Sequence, residues 1–219
     1  MQRMKRMGAI GRGIWERPGD CLGIWLIIIC LFLPSLATAQ SAIKLTAVEK
    51  KQLDTFFSNF SEANLKSFKQ NSLSPEALLN FALDHIYKNA YKSLKHSKDG
   101  ASAIIPAALV DQTTEKYFGQ KLPKHEKAEY LVPLATGEAY TFSQITGLQG
   151  VGKDLFQAEG IIYVSSSGGT PDPHGTLATW KKAGEDVQQL GKFSALIKQE
   201  LTGNKRYILL EYSVVNTEP

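Results

Sequence analysis

The chain has 219 residues, with 25 Lys and Arg against 21 Asp and Glu, four His and two Cys, a length that suits one domain behind a leader. Its first 39 residues hold five of the cations and two of the acids, so residues 40–219 carry 20 against 19, a net charge of +1. Near-neutrality excludes the electrostatic footprint of a nucleic-acid binder. Both cysteines, Cys21 and Cys30, fall in the first 39 residues, which excludes disulfides and thiolate metal sites from the remainder.

At the N-terminus Arg3, Lys5, Arg6, Arg12 and Arg17 precede an apolar run from Leu22 to Leu33, and Ala37-Thr38-Ala39 follows with the small-x-small pattern that signal peptidase accepts. Basic, apolar, small is the order of a secretory signal. It predicts a signal peptide over 1–39, cut after Ala39, and a periplasmic or secreted domain over 40–219. The apolar run is shorter than the roughly 20 residues a spanning helix needs, although left uncut it could serve as an anchor. Bulky Ile29 before Cys30 argues against a lipoprotein signal, and Met4 or Met7 are alternative starts.

Three helices are predicted next. Thr46-Ala47-Val48-Glu49 has the form of a capping box, and Leu53, Phe56, Phe57 and Phe60 follow at helical spacing. Ser61 to Ser72 is polar, with Leu65 and Phe68 turned back onto that apolar face. Ser74 is a natural N-cap before Pro75 and Glu76. Behind it Leu78, Leu79, Ala82, Leu83, Ile86, Ala90, Tyr91 and Leu94 recur at three and four, until Lys98-Asp99-Gly100 reads as a turn. A third helix is expected from Pro106 to Phe118, stopped by Gly119 in the left-handed conformation.

Strands are predicted thereafter: Tyr130 to Leu134, Ala139 to Ser143, Leu155 to Ser165, Thr176 to Lys181, Phe193 to Leu201 and Tyr207 to Val215. Thr136-Gly137 and Gly203-Asn204 are the expected turns of the first and last pairs. In the last strand Ile208, Leu210, Tyr212 and Val214 alternate against Leu209, Glu211 and Ser213. Helices first and strands afterwards predict an α+β fold, the N-terminal helices packed on one face of a C-terminal antiparallel β-sheet, in one domain over 40–219.

Asn59-Phe60-Ser61-Glu62, Lys116-Tyr117-Phe118-Gly119 and Lys205-Arg206-Tyr207-Ile208-Leu209 together resemble an uncharacterised family of bacterial secreted α+β proteins of unknown function. The resemblance implies the same fold class and no activity.

Candidate sites are sparse. Gly147-Leu148-Gln149-Gly150-Val151-Gly152-Lys153 has the spacing of a phosphate-binding loop. Asp154 stands where such a loop needs Ser or Thr, however, and no strand–loop–helix context surrounds it. A glycine-rich turn is expected there and no nucleotide. The stretch from Ser165 to Gly175 is the most loop-like. Within it Asp172 and His174 could ligate a metal or form an acid–base pair, but two ligands fall short of the three or four a zinc site uses. A flexible hairpin connection with solvated side chains is expected. His85, His96 and His125 suit surface or cap positions. Trp180, with Tyr130, Tyr140, Tyr163 and Tyr212, could line an aromatic groove for sugar or peptide, although sheet core is the commoner use of strand aromatics.

These readings predict a non-enzymatic extracytoplasmic binding module for a protein, peptide or envelope component, with Asp172, His174 and Trp180 as ligand-binding candidates. No catalytic residue, metal, cofactor, nucleic-acid partner or membrane contact after cleavage is expected. The alternative is a small periplasmic hydrolase using Asp172 and His174 on the 165–175 loop.

Overall fold

The computed structural model describes residues 42–134, 139–166, 168–200 and 206–217. The expected signal peptide over 1–39 with its expected cleavage site, and the expected turns at Thr136-Gly137 and Gly203-Asn204, lie outside the described residues.

Helix α1 spans Ala47–Glu62 and opens on the capping box read from sequence: Glu49 N–H donates to the Thr46 hydroxyl at 3.2 Å, and Thr46 N–H donates to the Glu49 carboxylate at 2.9 Å. Helix α2, Pro75–Ala90, is capped by Ser74, which accepts from Ala77 N–H, and buries Leu78, Phe81, Ala82 and Ile86. A 3-10 turn at Tyr91–Ser93 ends it. The chain then forms a hairpin absent from the sequence reading, β1 (Lys95–His96) and β2 (Ser102–Pro106), turning at the expected Lys98-Asp99-Gly100 with Gly100 at φ +71°. Helix α3, Ala107–Phe118, stops at Gly119 with φ +67°. A Cβ on Gly119 would meet only the movable tip of Ile208, Cδ1 at 2.9 Å, so it is the left-handed backbone that favours glycine there.

Strand β3 covers Glu129–Pro133, and four long strands follow: β4 (Tyr140–Gly152), β5 (Leu155–Ser165), β6 (Val187–Glu200) and β7 (Arg206–Asn216). They form two antiparallel sheets, β1-β2-β3 and β4-β5-β6-β7. The fold is α+β, with helices N-terminal and strands C-terminal. One core joins Leu53, Phe57 and Phe60 of α1 to α2, α3 and to Ile145, Ala158, Ile162, Phe193, Ile197, Leu209 and Tyr212 of the large sheet.

Four local expectations are corrected. β3 does not pair with the strand after it. It pairs with β2, because the α3 crossover returns the chain beside the hairpin, where Ala107 N–H donates to Ala128 O and Leu134 N–H to Ala101 O. Gly147 to Lys153 is not a turn: β4 continues to Gly152 with bulges near Gly147 and Gly150, and the reversal falls at Lys153 and Asp154, where Asp154 has φ +58°. Thr176 to Lys181 is helical. Thr176 and Thr179 cap each other reciprocally, and this starts α4, Leu177–Lys182, which swings Trp180 inward. In β7 the alternation breaks at a bulge, where Leu196 faces Glu211 and the next residue, Ile197, faces Leu209. Leu209 therefore joins Tyr212 in the core, a two-to-one offset that simple alternation cannot show.

Both edges of the large sheet are covered. On β4, Ile145 N–H donates to Asp54 Oδ1 at 2.7 Å and Ser143 N–H to Ser58 Oγ at 3.0 Å, while Ser143 Oγ donates to Ser61 Oγ at 3.0 Å. On β7, Phe68 and Tyr212 exchange backbone hydrogen bonds of 2.8 and 3.1 Å, and Val214 N–H donates to Ser67 Oγ at 2.8 Å. Edges satisfied in this way do not template further strands.

Candidate functional site

The loop nominated from sequence is held rather than solvated. Gln144 donates through Nε2 to the Pro173 and Gly175 carbonyls at 2.7 and 2.9 Å, and Trp180 Nε1 donates to Asp172 O at 2.7 Å. The Asp172 carboxylate is exposed, and among the described residues it accepts one local bond, from His174 N–H at 3.0 Å. The His174 ring turns away from it. Its Nδ1 lies 3.4 Å from Oδ2 of Asp54, a carboxylate 1% exposed that also accepts from Lys50 Nζ at 2.8 Å. Asp172 and His174 therefore form no acid–base pair with each other; the carboxylate that faces His174 comes from α1. Trp180 is 3% exposed and packs edge-on against Phe142 and Tyr163, with centroids 5.3 and 5.2 Å away. It closes a second small core on the sheet face opposite α1–α3. The aromatic groove does not form: Tyr163 and Tyr212 are core, and Tyr130 turns to His125.

His125 sits in a network that the sequence did not signal. Its Nε2 donates to Asp111 Oδ1 at 2.8 Å, which leaves Nδ1, 2.9 Å from Tyr130 Oη, to accept the phenolic proton. Asp111 Oδ1 also accepts from Leu122 N–H at 3.3 Å, so the three side chains pin the linker after α3 to that helix and to β3. Among the described residues no cluster of three His, Cys, Asp or Glu could hold a metal ion.

A cleft that combines aromatic and polar side chains lies elsewhere. Gln52, Thr55, Phe56 and Asn59 recur at three and four on one face of α1. Lys116 and Tyr117 close α3, and Arg206 and Tyr207 open β7. These eight residues line an open cleft of about 300 Å³, at the small end of ligand sites. Phe56 lies between the rings of Tyr117 and Tyr207, with centroids 6.2 and 5.9 Å away. The Tyr207 hydroxyl accepts from Gln199 Nε2 at 3.0 Å, which leaves its proton to donate, and burial raises its pKa so that it stays a phenol. Lys116 Nζ stands 4.8 Å over the Tyr117 ring. Arg206 is fixed by Glu200 Oε2, 2.8 Å from both Nε and Nη2. Asn59 Nδ2 donates to Thr55 O at 2.8 Å, and this turns its Oδ1 outward as an acceptor.

No protein-family model, curated protein or solved structure matches the chain. The cleft nevertheless gathers residues from all three segments that carried the resemblance: Asn59 from the first, Lys116 and Tyr117 from the second, Arg206 and Tyr207 from the third. Behind it, His85 lies flat on Phe81, with centroids 5.6 Å apart, and edge-on to Tyr117 at 4.8 Å. Burial, helped by the charge of Lys116, lowers its pKa to about 4. A readable signal for the cleft was present in α1, where Gln52, Thr55 and Asn59 set a polar row around Phe56. The rest was hidden, because the other two walls lie far along the chain.

Proposed function

We propose that this chain is an exported extracytoplasmic binding module, which holds a protein, peptide or envelope component in the cleft between α1, α3 and β7. One observation carries the reading: three aromatic rings from three elements are rimmed there by polar groups, the composition of a recognition site. Export rests on the sequence order basic, apolar, small at the N-terminus. The alternative, a hydrolase using Asp172 and His174, lacks the convergence it needs, because the His174 ring faces Asp54.

Two measurements test the proposal. Intact mass of the protein recovered from periplasm or medium should correspond to a chain beginning at Gln40; a species retaining Leu22 to Leu33 in the membrane fraction would refute cleavage. Backbone amide NMR with envelope glycans and short peptides should show shifts centred on Phe56, Tyr117 and Tyr207. Shifts centred on Asp172 and His174 instead would move the site to the loop and revive the hydrolase.

A further inference from the structure

We propose that a second pocket, between the loop after α1 and the helix-covered face of the large sheet, binds a short aliphatic monocarboxylate. The pocket holds about 250 Å³ and shares no lining residue with the cleft. Tyr212, 1% exposed, is one of its lining residues, and the Tyr212 hydroxyl is buried without a hydrogen-bond partner among the described residues. A buried hydroxyl left unpaired is costly, and a ligand that pairs it removes the cost. Burial raises the Tyr212 pKa, so the group stays a phenol with a proton to donate. Gly191 of β6 stands in register between two lining residues, Ile162 and Asn216, and puts no side chain into that row; a Cβ there would come within 2.7 Å of Val215 O. The loop is strapped to β7 by the Phe68–Tyr212 backbone pair and by Val214 N–H, which donates to Ser67 Oγ.

The charge of the pocket selects the ligand. Lys66 is the one charged residue that lines it, and it has no ion pair among the described residues. The acids next to lining residues are already answered, Glu62 by Lys88 and Glu211 by Lys69 at 2.7 Å. Protons are in surplus as well. Ser67 Oγ accepts from Val214 N–H and keeps its own proton to donate, and the Thr141 hydroxyl has no partner among the described residues. With Tyr212 and Lys66 these make four donors. An alcohol returns a proton for each one it accepts, whereas a carboxylate accepts from several donors and returns none. An ammonium group finds no acid to pair with. Leu65 and Ile162 are buried in the wall and Val214 is half-buried beside them, so an inorganic anion would set charge against hydrocarbon where an acyl chain would pack. One cation matches one carboxylate. The volume is that of roughly eight waters, which suits a short acid such as hexanoate.

The experiment is isothermal titration and amide NMR of the purified protein at neutral pH with hexanoate, hexanol, hexylamine and inorganic phosphate. Hexanoate should bind most tightly, with shifts centred on Leu65, Ser67 and Val214. Tyr212→Phe, which keeps the ring in the core, should weaken it about tenfold or more, as loss of a hydrogen bond to a charged group does. Lys66→Gln should weaken it about two- to fivefold, the scale of an exposed ion pair. Circular dichroism should show both variants folded, and Lys66 is exposed, so its substitution leaves the core untouched. Hexanol or hexylamine binding as tightly as hexanoate would overturn the anion, and phosphate binding more tightly would overturn the acyl chain. Hexanoate binding indifferent to Tyr212→Phe, shifts centred on Phe56, Tyr117 and Tyr207, or no binding by any probe would overturn the pocket itself. None of these results except the shifts at Phe56, Tyr117 and Tyr207 bears on the cleft, and those would support it.

Discussion

Stability should depend on pH through one histidine. His85 is held between Phe81 and Tyr117, and its folded pKa lies at about 4 against an ordinary 6.5. The unfolded chain takes up a proton at this position below pH 6.5, and the folded chain refuses it until about pH 4. More protons on the unfolded state mean that stability is full above pH 6.5 and is lost as pH falls. A separation of about 2.5 units at 1.36 kcal/mol per unit gives a total of roughly 3 kcal/mol, of which about 2 kcal/mol falls between pH 7 and pH 5. Glu62 acts in the opposite sense, because burial raises its pKa and makes its carboxylate a liability as pH rises. The test is therefore a difference: urea unfolding of wild type and His85→Gln at pH 7, 6 and 5, in which Glu62 and the other histidines cancel. The variant should start less stable, having lost the stacking on Phe81, and should close the gap by about 2 kcal/mol at pH 5. Parallel stability–pH curves for the two proteins would refute the reasoning.

Other substitutions probe the packing. Ile86→Ala removes a core side chain 3% exposed and should cost ~2–5 kcal/mol in chemical denaturation; an unchanged midpoint would mean that α2 packs by another face. Asp54→Ala strands the Ile145 N–H on the covered edge and should cost about 1–3 kcal/mol. Asp54→Asn, which keeps an acceptor, should recover much of that loss, and equal losses would show that charge matters more than the hydrogen bond. Tyr212→Phe should be neutral or stabilising by up to about 1 kcal/mol in thermal unfolding, because the buried hydroxyl has no partner to lose among the described residues. A clear destabilisation would reveal an ordered water or ligand on that oxygen.

The helices were legible because their signals are local. Thr46 with Glu49, Ser74 with Pro75, and Gly119 after Phe118 each satisfy backbone groups within a few residues, so the spacing alone predicts them. The misread segments were those in which two local signals compete or a long-range one decides. Thr176 to Lys181 carries apolar residues compatible with a strand, yet a reciprocal Thr176–Thr179 cap starts a helix. The bulge at Leu210 lets Ile208 and Leu209 both be buried, which no period of two allows. β1 was too short to show a pattern, and β3 found its partner only because α3 carries the chain back. The expectation of a flexible, solvated loop at 165–175 missed for a related reason. Glycine, serine and proline announce a loop but say nothing of Gln144, which lies on a strand 29 residues before Pro173 and fastens it.

Helix α1 explains why the cleft escaped a reading by period. An amphipathic surface helix shows one apolar stripe and one solvated face, but three sides of α1 are engaged. Leu53, Phe57 and Phe60 enter the core. Asp54, Ser58 and Ser61, also three and four apart, bind the edge of β4, so these buried polar side chains complete the sheet where a further strand would. Gln52, Thr55, Phe56 and Asn59 form the third side and line the cavity. Once the first two sides are anchored, α1 cannot rotate or slide without stranding Ile145 N–H and Ser143 N–H, each of which would cost about 1–3 kcal/mol. The third side is thereby held in register against Tyr117 and Tyr207. A rigid wall is what lets a small cavity discriminate, because little ordering remains to be done when a ligand arrives. The buried Asp54 and Ser58, which line the β4 edge and not the cleft, thus set the position of Phe56, Gln52 and Asn59, the residues with which a ligand would meet this helix.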